Sequence, residues 1–194
     1  SEAVMELLEG KVNPSGKLSE SWPISYADVI SNDTFGQKYT EYRESIYVGY
    51  RYYDKANVKV RYPFGHGLSY TTFEYSNPVL VGNVVSIDVT NTGEAAGKEI
   101  VQLYVGSNHT FRAVKELKAF EKVELLPGQT KTVSFEIRDD FFEIYQEGFK
   151  KVAGSYELLF AASSADIKAS IKIDVDGEVV EVENEENSWY QLLK

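Results

Sequence analysis

The chain of 194 residues contains no cysteine, which excludes disulfides and thiolate metal sites and leaves the redox compartment unmarked. It also lacks any apolar run close to the roughly 20 residues that a membrane-spanning helix needs. No signal peptide is visible at the N-terminus. We therefore expect no membrane partner. The compartment stays open, with a cytoplasmic location slightly favoured over secretion.

Clustered positive charge is scarce as well. The 30 acidic and 20 basic residues give a net charge of −10, whereas a nucleic-acid partner requires a concentrated basic face. The composition argues against nucleic acid as a partner, and the acidic balance most simply favours solubility.

Apolar and aromatic residues, in contrast, are plentiful. At 43% hydrophobic and 13% aromatic, the chain can form a packed core for one domain, or for one domain with a fragment of another. Residues 1–10 are typical of an artificial start or of a cut within a longer chain.

The stretch at residues 62–75 separates two kinds of sequence. Its first half is turn-forming, because Pro63 fixes φ and because Gly65 and Gly67 can take positive φ. From Leu68 onwards, aromatic and β-branched residues alternate, which predicts an edge strand. We interpret the stretch as a junction between domains.

Residues 1–61 show little regular pattern. A short helix is predicted at 3–8, with Gly10 at its C-terminal cap, and residues 24–36 are predicted to be loop. Since this region has no apolar pattern of its own, we expect it to pack partly on the following β domain and partly on a piece outside this chain.

Tyrosines crowd residues 39–53. Residues 41–47 predict one helical turn, and residues 48–53 predict an extended or turn-like segment. Packing between domains is the expected role of these tyrosines; lining the rim of an active site is the lesser alternative.

From residue 70 onwards, strand patterns recur at short intervals between turn residues, without helices. This pattern predicts a mainly β domain over residues 62–177, an antiparallel β-sandwich of immunoglobulin-like size. The predicted strands are 71–80, 84–91, 97–107, 114–125, 131–137, 149–151, 154–162 and 168–175. The predicted core consists of Val85, Ile87, Val89, Val101, Leu103, Val105, Val133, Phe135, Ile137, Tyr156, Leu158 and Phe160.

Residues 178–194 differ again. Glutamates dominate their first half without turn residues or a core pattern, which predicts an acidic, solvated linker or tail. The apolar residues at 189–193 require a partner surface, so we expect the natural chain to continue beyond Lys194.

Several motifs, in order, resemble glycoside hydrolase family 3. Asn-Pro-Ser-Gly-Lys-Leu at 13–18, with Trp-Pro at 22–23, is similar to the end of that family's α/β sandwich domain, and residues 47–54 look like the connector that follows. Residues 63–73 look like the entry to its fibronectin type III-like domain. Further matching segments are 89–93, 97–105, 115–123 and 126–130.

The resemblance covers roughly residues 12–175 and departs from the family pattern at few places. Ser19 stands where proline is usual, Ala119 stands where glycine is usual, and residues 111–113 replace a more proline-rich approach. These differences affect loop shape and not the family.

The resemblance implies a fibronectin type III-like antiparallel β-sandwich, preceded by an irregular remnant of an α/β sandwich domain. The family hydrolyses β-glycosidic bonds with retention, which needs a nucleophile and an acid/base carboxyl about 5 Å apart. It places the nucleophilic aspartate in a TIM-like barrel and the acid/base upstream, and neither motif occurs in these 194 residues. We therefore assign no catalytic, cofactor-binding or metal-binding residue and no cofactor, and we expect the chain alone to be inactive.

The implied role is that of the non-catalytic part of a retaining β-glucosidase, which hydrolyses terminal β-D-glucosyl residues. This part would brace the catalytic domains and, as an open alternative, aid homodimer formation. Its partners would be the remaining domains of the same polypeptide, with the β-glucoside bound only by the intact enzyme. A carbohydrate- or cell-wall-binding β-sandwich module is the alternative function. In some members of the family the barrel follows the sandwich, and the tail at 178–194 would suit that order.

Each chemically suggestive residue also has a plainer interpretation. His66 is expected to have a structural role, with its ring hydrogen-bonded in the turn, since a single imidazole makes a poor metal site, and His109 is expected to be exposed. The acidic cluster fits turns and a solvated face better than acid/base chemistry or calcium; it comprises Asp139, Asp140, Glu143 and Glu147.

Two further patterns carry little weight. The N-glycosylation patterns at 32–34 and 108–110 have meaning only on a eukaryotic secretory route. Glu41 and Glu44 are placed to pair with Arg43 or Arg51, and an exposed pair of this kind contributes little energy.

Overall fold

The computed structural model describes residues 2–39, 42, 44–109 and 111–180. Most of the predicted tail at 178–194 lies outside the described residues. The helices are α1 (Glu2–Leu8) and α2 (Tyr50–Lys55), and the strands are β1 (Trp22–Pro23), β2 (Val60–Tyr62), β3 (Phe73–Val81), β4 (Val84–Asn91), β5 (Gly97–Ser107), β6 (Lys115–Leu125), β7 (Thr130–Glu136), β8 (Glu143–Tyr145), β9 (Phe149–Lys151), β10 (Gly154–Ser163) and β11 (Asp166–Val175).

Two antiparallel sheets form a sandwich. One has the strand order β3-β4-β7 and the other β11-β10-β5-β6. Because side chains alternate between faces, every second residue points between the sheets, as the buried positions of β4 show. The predicted fold class, a mainly β antiparallel sandwich, is confirmed.

The core lies between the two sheets. All predicted core residues belong to one cluster, with Ile137 partly buried at its edge. Phe141 and Phe142, which follow β7, were not predicted as core, yet they are 2% and 3% exposed. Burial of an aromatic side chain of this size contributes about 1.5–3 kcal/mol, so this short segment adds to the stability of the core.

The predicted strand bounds agree closely with the structure. The predictions 84–91, 97–107 and 149–151 coincide with β4, β5 and β9, and the others shift by one or two residues. β8 was not predicted; it pairs with β9 in a small hairpin.

The alternation that starts at Leu68 does not form a strand, because β3 begins only at Phe73. Leu68 and Tyr70 are 72% and 54% exposed. The backbone N–H of Tyr70 donates to the side chain of Asn13 instead of to a neighbouring strand. The hydrogen bond to Asn13, which is distant in the sequence, therefore replaces the strand pairing that the local pattern predicts. As predicted, β3 then forms the edge of its sheet.

The expectation of an extended or turn-like segment at 48–53 is wrong from Tyr50 onwards, since α2 begins there. Gly49 precedes the helix with a φ of +59°, a value that glycine adopts without steric cost. Tyr50 and Tyr53 are buried on one side of the helix. Their spacing of three residues, shared with buried Tyr47, is a helical signal within the tyrosine-rich segment.

The N-terminal region has little interior of its own. None of the residues of α1 is buried, and Gly10 follows the helix with a φ of +71°, as its predicted capping role requires. The Tyr70 hydroxyl donates to Leu7 O at 2.7 Å. No helix in the described part of the chain is long and apolar enough to span a membrane.

Candidate functional site: the junction on the outer sheet face

The outer face of the four-stranded sheet receives the N-terminal region. Tyr50 stacks on Phe64, with 4.8 Å between ring centroids, and meets Tyr104 of β5 edge-on at 5.9 Å. Tyr50, Tyr104 and Ala161 form a second buried cluster. We use "the junction" for the contacts that residues 13–18, α2 and residues 63–67 make with the sandwich, on this face and at its edge. The junction is therefore a small core shared by the two regions.

Gln102 lies at the centre of the junction and is 3% exposed. Its Nε2 donates to Gly65 O at 3.2 Å and to Ala162 O at 2.8 Å, while its Oε1 accepts from the Tyr104 hydroxyl at 2.7 Å. Buried polar groups must find partners of this kind. One amide thus connects the loop at 63–67 to both β5 and β10.

Gly65 meets two separate requirements. Its φ is +78°, in the region that favours glycine. A Cβ at this position would lie 2.2 Å from Gln102 Oε1. Any larger residue would both strain the backbone and displace the central amide.

Gly67 is needed for a different reason from the predicted one. It does not have a positive φ, but a Cβ there would lie 2.7 Å from Gly16 O and 2.6 Å from Lys17 Cδ. The two segments approach closely because Leu18 N donates to His66 O and Gly65 N donates to Leu18 O, both at 2.8 Å. Residues 16–18 and 65–67 thus behave as one paired unit.

A buried ion pair attaches this unit to the sandwich. Lys17 Nζ lies 2.9 Å from Glu99 Oε1, and the side chains are 14% and 8% exposed. Lys17 also donates to Ala162 O at 3.1 Å, and the Tyr75 hydroxyl donates to Glu99. Burial, together with the Glu99 charge, raises the pKa of Tyr75. Removing one partner of such a pair costs about 3–5 kcal/mol, because the other charge is left buried and unpaired.

Asn13 attaches the start of the same segment. Its Nδ2 donates to Ala96 O at 2.9 Å, and its Oδ1 accepts from Ser69 Oγ at 3.1 Å and from Tyr70 N at 2.8 Å. Sequence reasoning identified Asn13 only as part of a motif. Its bonding could not be found locally, since its partners lie 56 to 83 residues away.

Charged side chains border the junction at the start of β6. Lys115 Nζ lies 2.7 Å from the Asp54 carboxylate. Burial raises the pKa of Asp54, although Lys115 opposes this shift. Arg112 is 4% exposed and donates to Phe142 O at 2.8 Å and to the Glu116 carboxylate at 2.9 Å. This border therefore fixes both α2 and the Phe141–Phe142 segment.

The two histidines occupy different surroundings from those expected. The His66 ring stacks on Tyr62, with 5.2 Å between centroids, and its main chain makes the hydrogen bonds of the turn. The expectation that His109 is exposed is wrong. It is half-buried against Phe111 and Tyr156, and its Nε2 is buried without a hydrogen-bond partner among the described residues.

The acidic cluster after β7 is divided into exposed ion pairs. Asp140 pairs with Arg138, and Asp139 pairs with Lys151. The hydrogen bond from Arg138 lowers the pKa of Asp140. Across the described part of the chain, no group of three or more His, Asp or Glu residues is arranged to hold a metal ion. Neither pair has the geometry of an enclosed acid/base site.

The remaining candidate residues stay predictions. Asn108 is exposed, but Thr110, which completes that glycosylation pattern, lies outside the described residues. So do Glu41 and Arg43. In the tyrosine-rich segment, Tyr39 and Tyr42 are 75% and 86% exposed, while Tyr47 is buried.

Comparison with known proteins accounts for both regions. A family model described as "Glycosyl hydrolase family 3 C-terminal domain" matches residues 1–70, and one described as "Fibronectin type III-like domain" matches residues 99–164. Relatives named as β-glucosidases match both regions together.

The chain belongs to glycoside hydrolase family 3. It is 42% identical to "Beta-glucosidase BoGH3A" of Bacteroides ovatus, over 89% of this chain and 26% of the relative. It is also 42% identical to "Thermostable beta-glucosidase B" of Acetivibrio thermocellus, over 89% of this chain and 25% of that protein. The chain therefore spans about a quarter of the length of these family 3 relatives.

Solved family 3 structures have the same fold. A β-glucosidase of Bifidobacterium adolescentis superposes with a TM-score of 0.86 at 34% identity, over 96% of this chain and 30% of its own. β-Glucosidase 3B of Thermotoga neapolitana, solved with glucose, gives 0.83 at 39% identity, over 88% of this chain and 26% of its own. The resemblance seen in the motifs is confirmed: the chain matches the C-terminal, fibronectin type III-like part of family 3 β-glucosidases.

Proposed function

We propose that this chain is the non-catalytic brace of a retaining β-glucosidase that hydrolyses terminal β-D-glucosyl residues. The junction supports this proposal. Residues 1–70, which match the family 3 C-terminal domain, are attached to the sandwich through Gln102 and the buried Lys17–Glu99 pair. We propose three parts: the end of an α/β sandwich domain with a tyrosine-rich connector at 1–61, the fibronectin type III-like sandwich at 62–177, and an acidic tail at 178–194. A homodimer stays a prediction.

Exposed apolar side chains in the N-terminal region support the proposal that this region packs on a partner surface outside this chain. Scattered exposed apolar residues are normal on proteins, but a dense set marks an interaction surface. Within residues 2–70 the exposed set comprises Val4, Met5, Leu8, Val12, Trp22, Ile24, Tyr26, Phe35, Tyr39, Tyr42, Ile46, Val48, Tyr62, Leu68 and Tyr70. The catalytic domains of the same polypeptide are the proposed partner for this surface.

The alternative, a carbohydrate-binding module, needs exposed aromatic rings that lie in one plane. Tyr145 and Phe149 are exposed on the β8–β9 hairpin, but their rings are tilted by 77°. The outer sheet face also has a shallow groove of about 430 Å³, where the lining residues include Lys115, Glu157 and Leu159. Its one aromatic lining residue, Tyr156, is itself buried. The brace is therefore the better supported function.

The brace is tested in the full-length polypeptide with Lys17→Met, which leaves Glu99 buried without its cation. We expect activity towards an aryl β-glucoside to be nearly unchanged at low temperature, since no junction residue is assigned to substrate. Thermal inactivation should occur at a lower temperature, in parallel with unfolding of the sandwich. The matched control is Lys11→Met, because Lys11 forms an exposed pair with Glu9.

Two results would contradict the proposal. If the sandwich unfolds earlier in Lys17→Met but inactivation keeps its original temperature, the sandwich does not brace the catalytic unit. Turnover of the aryl β-glucoside by the 194-residue chain alone, above background, would show that the chain is itself catalytic.

A further inference from the structure

Three cationic side chains surround one carboxylate beside α2. Glu116 lies 2.9 Å from Arg112 Nη2 and 3.6 Å from Lys118 Nζ. The charge of Arg51 acts on both Glu116 and Lys118. The nearby carboxylates Asp54 and Asp140 are already paired, with Lys115 and Arg138. The cluster therefore has an excess of two positive charges, in a chain whose net charge is −10.

This excess is held in a poorly solvated place. The side chains of Arg112 and Lys118 are 4% and 17% exposed. Burial lowers the pKa of Lys118, and the charges of Arg112 and Arg51 reinforce that shift against the attraction of Glu116. Uncompensated charge away from water is unfavourable. A second carboxylate would remove one of the two excess positive charges.

Arg51 is the member that has no carboxylate at ion-pair distance among the described residues, although its side chain hydrogen-bonds Tyr50. It is half-buried on α2, with its Cζ 5.9 Å from the centroid of the Tyr50 ring. Its Nε is buried and has no hydrogen-bond partner among the described residues. A guanidinium presents its N–H groups in a planar fork that fits a carboxylate, and a buried donor left unpaired is costly.

We propose that Arg51, backed by Lys118, binds a carboxylate from the part of the polypeptide outside this chain. The ion pair would join the junction to the remaining domains. This inference rests on the bracing function proposed above.

Two observations favour the rest of the polypeptide as the source of the carboxylate. The chain spans about a quarter of its relatives' length, so most of the protein lies elsewhere. Ile46 and Val48, just before α2, are 46% and 55% exposed. Arginine is enriched at protein interfaces, and exposed apolar residues close to it in the sequence are consistent with such a surface.

The test uses Arg51→Gln and Arg51→Lys in the full-length polypeptide, with thermal unfolding measured at low and high salt. Within this chain the charge of Arg51 acts on the like charge of Lys118 as well as on the opposite charge of Glu116, so the loss of that charge alone should leave stability nearly equal or higher. A carboxylate from outside predicts the opposite: a decrease of about 2–6 °C in Tm at low salt for Arg51→Gln. The decrease should shrink at high salt and be smaller for Arg51→Lys.

The control is Arg61→Gln, since Arg61 also lies over a tyrosine ring, 6.0 Å from the Tyr62 centroid, but is exposed. Its Tm should not change. Glu41→Gln and Glu44→Gln test carboxylates of this chain itself. If either reproduces the loss and adds nothing to Arg51→Gln, the partner lies within this chain and the proposal is overturned.

An unchanged or raised Tm for Arg51→Gln also overturns the proposal. If Lys17→Met still lowers the inactivation temperature in that case, the brace stands and only the role of Arg51 is refuted. The two proposals therefore fail separately.

Discussion

Replacing Gln102 with leucine tests how firmly the junction joins the two regions. Leucine has a similar size, but it can neither donate to Gly65 O nor accept from the Tyr104 hydroxyl. Ala162 O keeps its bond from Lys17. The substitution therefore leaves two buried polar groups without partners and creates little cavity.

The expected magnitude follows from these two groups. Each buried orphan costs about 1–3 kcal/mol, and the better burial of leucine returns roughly 1 kcal/mol. We expect Gln102→Leu to lower the free energy of unfolding by about 2–4 kcal/mol. For a chain of this size this corresponds to roughly 5–15 °C in Tm.

Urea denaturation followed by circular dichroism measures this change. The matched control is Gln37→Leu, because Gln37 makes one exposed hydrogen bond, to Asp33 O at 2.8 Å, and should lose less than about 1 kcal/mol. A Gln102→Leu variant as stable as the wild-type chain would refute the view that this amide holds the junction together.

Three further predictions concern single positions. Gly65→Ala should lower Tm more than Gly128→Ala in thermal unfolding, because both glycines have positive φ but only Gly65 would place a Cβ against Gln102; equal losses would argue against the close contact. His109→Phe should leave Tm equal or higher, since it keeps the ring stacking and removes a buried nitrogen without a partner among the described residues; a clear loss would reveal a hydrogen bond. Burial alone would raise the pKa of Glu116, but the hydrogen bond from Arg112 and the nearby cations outweigh it and lower that pKa. Its stabilisation is therefore present at neutral pH and is lost as pH falls through the lowered value. Glu116→Gln should be less stable at neutral pH, with a flatter acid limb in unfolding measured against pH; an unchanged acid limb would contradict this.

The strands were predictable because their cause is local. In β4 and β7, side chains alternate between core and solvent, so the sequence itself carries the period of the strand. Because turn residues separate the strands, most predicted strand ends lie within two residues of the observed ends. The motif at 63–73 also indicates the family, because a short sequence motif can be recognised without the tertiary contacts.

Other features were not local and were missed. Leu68 to Thr72 have strand-like residue types, but Asn13 takes the backbone N–H of Tyr70. The tyrosine-rich segment was predicted as extended or turn-like at the place where α2 forms. Packing of Tyr50 on Phe64 and Tyr104 stabilises this helix, and the local sequence does not show that packing. His109 was expected in solvent because nothing in the sequence shows that Phe111 and Tyr156 cover it.

By itself, the sequence determined the sandwich, its core and the family, since hydrophobic periodicity and short motifs act within a few residues. Only the tertiary structure decided the junction. Lys17 meets Glu99, Gln102 meets Gly65 and Arg112 meets Phe142, and each pair joins segments that are far apart in the chain. A buried polar contact is stronger than an exposed one because water is excluded around both partners, and this condition exists only once the whole fold has formed.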